Sequence, residues 1–274
     1  MIVVRVYGGL GNQLFQYAFG IFLQEKFNQK IYFDFSFYNS NTHRAPSILK
    51  IINNLNQSPE PLSNSFIKFK SFKLNRLYNR IFNKNYHLNY SDSFQPEANY
   101  NYFFDGYWQD KRYFKNELFK LKKPNFSTKA NHYFDKIIKS ENSLSIHVRR
   151  TDYLSKKNQK IFKILDDQYY SSALELVENL GVTNSDIFVF SDDIKWVNDN
   201  LKLSQKFTLV ENTNEIDDLF LMSTCNHNII ANSTFSWWGA YLNSNKNKIV
   251  VGPKDWYENG YPETNIKLSN WNLI

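Results

Sequence analysis

"NSLSIHVRRTDY", residues 142–153, decides the fold. A short run with apolar residues at every second position gives way at once to two arginines, a threonine and an aspartate. An arginine at the end of a buried strand is costly unless an anion meets it. The stretch therefore predicts a buried strand with a polar loop at its carboxyl end. The same unit recurs downstream: "DIFVF" (186–190) before "SDD", "KFTLV" (206–210) before "EN", "NIIA" (228–231) before "NST", and "KIVVG" (248–252) before "PKDW". Between these runs lie helical patterns at 167–181, 193–201, 215–224 and 234–243, the first ending on Gly181 in the C′ position glycine favours. Five apolar strands alternating with helices argue for a parallel, doubly wound α/β sheet. Every polar cluster then falls at a strand's carboxyl end, where ligands bind in such sheets.

Upstream, "IVVRVY" (2–7), the glycine turn "GGLGN" (8–12), an apolar helix over 13–27 and "KIYFDF" (30–35) read as a second βαβ start. Two α/β halves suggest two Rossmann-like domains facing a cleft, 1–130 and 131–274. Asn and Ser interrupt every periodic segment between 36 and 100. Within it "SFIKFKSFKLNRLYNRIFNK" (65–84) is a basic amphipathic segment that suits an anionic lipid surface, or that packs its apolar side and solvates its lysines. No internal repeat is visible.

The composition is that of a folded chain, 42% hydrophobic and 22% charged, with a net charge of +7 that favours an anionic partner. Nucleic acid is suggested by charge alone, because the basic residues join no recognisable binding fold. Cys225 is the only cysteine, which excludes an internal disulfide and a cysteine zinc site. The start lacks the features of a signal peptide, and no apolar run reaches the ~18 residues of a membrane span. These features predict a cytoplasmic protein.

Arg149 and Arg150 offer forked donors matched to phosphate oxygens; the alternative is that they pair with Asp152 and neighbouring carboxylates as structural ion pairs. Strand alternation puts Ile146 and Val148 on one face and His147 and Arg149 on the other. Asn232, Ser233 and Thr234 precede a helix, either as simple caps or as an anion site at its N-terminus. A diphosphate is the economical common ligand of the two loops. "GGLGNQLF" is neither a dinucleotide fingerprint nor a P-loop; Gly8, Gly9 and Gly11 suit a tight turn, and Asn12 and Gln13 could face the cleft. There is no Asp-x-Asp and no His pair spaced for a metal. A diphosphate leaving group without a metal needs fixed cations, which the two arginines could supply.

Together "GGLGNQLFQYAFG" (8–20), "DGYWQDKRYF" (105–114), "HVRRTDY" (147–153), "FVFSDD" (188–193) and "NSTFSWWGAYLN" (232–243) resemble the bacterial α-1,2-fucosyltransferases, in order and over the whole chain. The resemblance implies a metal-independent, inverting transferase of GT-B type, with no cofactor. It would move L-fucose from GDP-fucose to the 2-hydroxyl of a terminal galactose or similar sugar. The N-terminal domain would take the acceptor and the C-terminal one GDP-fucose. It also implies that Arg149 contacts the donor diphosphate with Arg150 beside it, and that Asn232, Ser233 and Thr234 lie at the phosphate. Phe235 would lie beside the nucleotide, Asp192 and Asp193 near the guanosine, and Gly11 and Asn12 at fucose or acceptor. Asp152 and His147 are the candidate bases, and a dissociative route would need neither. The other readings are another linkage or GDP-sugar, and a carbohydrate-binding protein without chemistry, which leaves the paired arginines unexplained. A lipid-linked oligosaccharide acceptor, with peripheral contact at the inner membrane face through 65–84, is a further expectation.

Overall fold

The computed structural model describes residues 1–39, 45–53, 55–57, 74, 77–78, 86–87, 90–96, 101–114, 121–258 and 263–274. Nearly all of the basic segment 65–84, with Lys68, Lys70, Lys73 and Arg76, lies outside them. The chain divides into two compact units, Met1–Lys122 and Lys123–Ile274.

The N-terminal unit is built on a parallel sheet: β1 (Ile2–Arg5), β2 (Ile31–Asp34), β3 (Tyr86–His87) and β4 (Tyr102–Phe104) in the order β2-β1-β4-β3. Helix α1 (Leu10–Phe27) connects the first two. It begins three residues before the expected 13, because Gly9 caps it in extended backbone without a side-chain bond. Leu10, Gly11 and Asn12 are therefore first-turn helix rather than turn. Of the glycines before it, Gly8 carries the bend, at φ +83°, where a side chain would be strained. Phe19 stacks on Trp108 with ring centroids 4.0 Å apart and meets Phe104 edge-on at 5.4 Å. These rings belong to the core of the unit, where Phe19 and Phe104 are fully buried.

In the C-terminal unit six strands are all parallel: β5 (Ser143–Val148), β6 (Asp186–Ser191), β7 (Phe207–Leu209), β8 (His227–Ile229), β9 (Val250–Gly252) and β10 (Asn272–Leu273). Their order is β10-β9-β8-β5-β6-β7, the 3-2-1-4-5-6 arrangement of the doubly wound dinucleotide fold. The sixth strand and helix α2 (Thr128–Lys139) add to the elements expected from sequence. Helices α3 (Asp167–Asn179) and α4 (Ile194–Asn200) cover one face, where Ile146 and Val148 join Tyr170, Leu174 and Val197 in one buried cluster. α2, α5 (Glu215–Thr224) and α6 (Thr234–Leu242) line the other, with Phe188, Phe190, Leu221 and Met222 buried among them. Gly181, at φ +95°, ends α3 as expected: its N–H reaches Glu178 O and that of Val182 reaches Val177 O.

Candidate functional site

The central pair of the C-terminal sheet is β5 and β8, and the chain leaves β5 toward β6 and leaves β8 toward β9 on the opposite side. That reversal is the place where open α/β sheets bind ligands, outside the carboxyl ends of the strands. The loops that meet there are "RRTDY" and "NST". They are hydrogen-bonded to each other: the Tyr153 hydroxyl donates to Asn232 O at 2.8 Å.

The β5–β6 register sets Val148 beside Ser191. One step further on, Arg149 Nη1 lies 3.0 Å from Asp192 Oδ2, and Arg149 Nη2 lies 2.7 Å from Asp152 Oδ1. The guanidinium also sits 5.7 Å over the Tyr153 ring. Burial alone would lower its pKa; Asp192 and Asp152 outweigh that and hold it above the ordinary value. Arg150 turns away, 4.1 Å over the ring of Trp196, with Nη1 donating to Leu165 O at 3.2 Å and Asp193 3.8 Å from Nε. The two adjacent arginines have separate surroundings, and Arg149 is the more exposed, at 23% against 12%. Both form ion pairs, as the structural alternative expected, but Arg149 keeps an accessible edge.

Asp192 holds the loop in shape. It accepts from Arg150 N (2.9 Å), Thr151 N (3.2 Å) and Thr151 Oγ1 (2.5 Å) besides meeting Arg149. Asp193 caps α4 through Trp196 N at 3.0 Å. Ser233 likewise caps α6, accepting from Phe235 N at 3.3 Å. Asn232 is buried, and its amide donates to Lys163 O (2.7 Å) and Trp256 O (2.9 Å), tying two further loops to the switch point. Thr234 and Phe235 are half-buried at the first turn of α6, whose N–H groups point to the carboxyl side of the sheet.

His147 is buried on the face expected from alternation, with its ring 5.6 Å from Phe235. Burial drives its pKa down to about 4, with Arg149 adding to the fall and Asp192 opposing it. The imidazole is neutral at physiological pH, and among the described residues its Nδ1 has no hydrogen-bond partner. Below it a polar seam runs along the same face of the strand: Asn228 Nδ2 donates to Ser145 Oγ at 2.6 Å, and Ser143 Oγ to Asn226 Oδ1 at 2.6 Å.

In the N-terminal unit, Asn12 is half-buried and accepts from Gln109 Nε2 at 3.0 Å. Gly11 is buried within α1. Gln13 does not face outward. It is completely buried, donating to Gly8 O (3.1 Å) and Ala45 O (3.0 Å) and accepting from Ile48 N (3.0 Å). Gln16 does the same for other loops, accepting from Tyr7 N and donating to Gly106 O.

Two features escaped the sequence reading. Tyr153 bridges the loops of the switch point, although it sits inside the motif quoted for the arginines. Asp218, in the first turn of α5 after β7, is half-buried beside Asp217 and Glu215, and desolvation pushes its carboxyl up to about 7 against the opposing hydrogen bond from the Thr213 hydroxyl. Its signal was the acidic pair opening an otherwise apolar helix. Among the described residues, no three His, Cys, Asp or Glu side chains gather as a metal site would require.

The glycosyl transferase family 11 model matches residues 1–274. The chain belongs to this family. The "O-antigen biosynthesis glycosyltransferase WbnK" of Escherichia coli is 30% identical, over 96% of this chain and 97% of its own. The "Alpha-1,2-colitosyltransferase" of Escherichia coli is 31% identical, over 94% and 93%. Among solved structures, the Bradyrhizobium fucosyltransferase NodZ, an α-1,6 enzyme co-crystallised with GDP, superposes with a TM-score of 0.55 at 12% identity, covering 88% of this chain and 91% of that one. That likeness shows the fold: the family 11 chain is an α/β glycosyltransferase of GT-B type. Among its described residues no helix is long and apolar enough to cross a membrane.

Proposed function

We propose that this protein is an inverting transferase that moves L-fucose from GDP-fucose to the 2-hydroxyl of a terminal galactose, or similar sugar, of an oligosaccharide, without a metal or other cofactor. The observation that carries the reading is Arg149. It is a partly exposed guanidinium at the carboxyl end of the central strand, on the topological switch point, next to the N-terminus of α6. The diphosphate would lie across Arg149 and the first turn of α6, with Ser233 and Thr234 beside it. Such fixed donors act where negative charge develops on the leaving group. The GDP in the NodZ crystals and the O-antigen and α-1,2 names of the relatives support a GDP-sugar donor and an oligosaccharide acceptor.

The step balances as follows. The acceptor hydroxyl oxygen forms a bond to the sugar C1 from the face opposite the diphosphate, while the C1–O bond to the diphosphate breaks and its electron pair stays on GDP. The hydroxyl proton passes to the Asp152 carboxylate. Asp152, with 40% of its side chain exposed, suits that role better than His147, which is buried. We assign Phe235 to the nucleotide base, and Asp192, Asp193 and Asn232 to shaping the pocket, since the two carboxylates and the Asn232 Nδ2 already hold the loops. The N-terminal unit, with Gly11 and Asn12, would take the acceptor. We retain a lipid-linked acceptor at the inner face of the membrane as part of the proposal. A second reading, a colitosyl donor on the same site, is favoured by the name of the 31%-identical relative.

The test is GDP release from GDP-fucose in EDTA with a panel of galactose-terminated oligosaccharides, for wild type and Arg149→Ala. Acceptor-dependent release that falls at least ~100-fold in the variant is expected. Release only with GDP-colitose would move the assignment to the second reading, and absence of GDP binding would refute both.

A further inference from the structure

The N-terminal sheet has a reversal of its own. The chain leaves β1 toward β2, while β4 lies against the other side of β1. A ligand is therefore expected outside the carboxyl ends of β1 and β4. Their register sets Val4 beside Phe104, and the residues that follow keep the pairing. Arg5 Nη1 meets Asp105 Oδ2 at 2.9 Å, and two steps on the rings of Tyr7 and Tyr107 lie 4.8 Å apart. Tyr7 is further held by Phe37 at 5.8 Å and by the Arg5 guanidinium at 5.3 Å. Tyr107 is the most exposed Phe, Tyr or Trp among the described residues, at 45%.

An exposed ring is ordinary on a protein surface and signifies nothing alone. This one is held outside at a cost. Its neighbour Trp108 stands at φ +54°, left-handed backbone that a bulky residue rarely adopts. The bend sends Trp108 inward onto Phe19 at 4.0 Å and leaves Tyr107 out. Among the described residues the buried indole Nε1 has no hydrogen-bond partner, a second cost. Gly106 makes room for the indole, which a Cβ there would meet at 3.0 Å, and buried Gln16 donates to Gly106 O at 3.2 Å. Strain kept at one residue beside an exposed ring argues for function. The ring also has polar company. A Cβ added to Gly8 would lie 3.1 Å from Asn12 Nδ2 and 3.7 Å from Tyr107 Cε1, so the amide and the ring border the same gap. Gln109 Nε2 donates to Asn12 Oδ1 at 3.0 Å. An aromatic ring edged by amides complements a pyranose, which has an apolar C–H face and a rim of hydroxyls.

We propose that Tyr107 is the stacking platform of the acceptor subsite: it takes the C–H face of the acceptor's terminal pyranose, with Asn12 and Gln109 at its edge for the hydroxyls. This rests on the glycosyl-transfer reading above and deepens it. A galactoside suits the platform, because its axial 4-hydroxyl leaves the C–H groups at positions 3, 4 and 5 together on one face. Stacking on a ring remote from the reacting bond holds the acceptor equally in the ground and transition states. Its loss therefore raises KM for the acceptor and leaves kcat in place.

The test is saturation-transfer NMR of lactose and other galactosides with wild type, Tyr107→Phe, Tyr107→Leu and Tyr107→Ala, beside acceptor kinetics and calorimetric titration of GDP. In wild type the strongest transfer should reach the galactose protons at positions 3, 4 and 5. In the leucine and alanine variants that signal should collapse and acceptor KM rise about three- to tenfold, the scale of one aromatic contact. Their kcat and GDP affinity should stay within about twofold of wild type, and Tyr107→Phe should keep signal and KM alike. Leucine preserves apolar bulk against Tyr7, so it answers the question if the alanine variant melts early. Unchanged signal and KM in Tyr107→Leu overturn the proposal. So does an equal loss of GDP affinity, which would make the ring a support of the fold. Absence of saturation transfer from a wild type that binds GDP overturns it as well. Failure of wild type to bind GDP would instead refute the donor reading, and the lactose signal would still decide Tyr107.

Discussion

Replacing Gln13 by Leu tests whether the polar residues of the "GNQ" motif act on a ligand or on the backbone. Gln13 is completely buried, and its amide satisfies Gly8 O, Ala45 O and Ile48 N. Leucine fills a similar volume and can do none of this. Gly8 O retains the Tyr38 hydroxyl at 2.8 Å and Ala45 O the Ser47 N–H at 2.9 Å, so the loss falls on Ile48 N. A buried group stripped of its partner costs about 1–3 kcal/mol, here about 2 kcal/mol. At 1.4 kcal/mol per decade this raises the open population of the N-terminal unit by about 30-fold. Hydrogen exchange read by mass spectrometry on peptides covering residues 1–39 should show protection in β1 and α1 falling by that factor. Peptides from β5 and β6 should be unaffected, because the two units have their own cores. Unchanged exchange together with lost transfer would refute the scaffold role and make Gln13 a ligand contact.

Two further outcomes follow from the packing and charge. The carboxyl of Asp218 is pushed up to about 7 by burial, from an ordinary value near 3.8. The folded protein therefore holds that proton more tightly than the unfolded chain, and stability falls as pH rises from about 4 to about 7 and then levels off. Asp218→Asn should leave the melting temperature unchanged near pH 3.5 and raise stability at pH 8 by about 2–4 kcal/mol; equal melting temperatures at pH 8 would show that the carboxylate is not penalised. Gly20 lies against β2, where an added Cβ would meet ring carbons of Phe33 at 2.4 Å. Gly20→Ala gains about 1 kcal/mol of helix propensity but overpacks the core by about 1–3 kcal/mol, so the thermal midpoint should drop; a rise would show that the Phe33 ring swings aside at little cost.

The C-terminal sheet was legible because five of its strands are apolar runs separated by helical spacing, and that pattern depends on neighbours in sequence. β10 was not, since a pair of residues carries no period. α2 could have been read: Ser127 caps it, and Ala130, Tyr133, Phe134 and Ile137 recur at helical spacing and pack on one cluster. The start of α1 was misplaced for a different reason. Asn12 reads with the glycines before it as turn, and Gln13, at the expected helix start, as facing the cleft, because amides usually seek water. Here the partners of Gln13 include Ala45 and Ile48, more than thirty residues away, and nothing local announces them.

The ionic cluster shows how far topology can replace contact knowledge. From sequence, Arg149 and Arg150 had Asp152 and neighbouring carboxylates as partners, and nothing tied them to Asp192 and Asp193. Once β5 and β6 are parallel neighbours with Val148 beside Ser191, the next step brings Arg149 to Asp192 and the one after brings Arg150 toward Asp193. Register therefore sets these two pairs. Asp152 comes from the turn rather than from the sheet, and it sits on Arg149, the more exposed of the two arginines; a local turn contact of this kind is legible three residues along the chain, whereas the cross-strand pairs need the sheet order first.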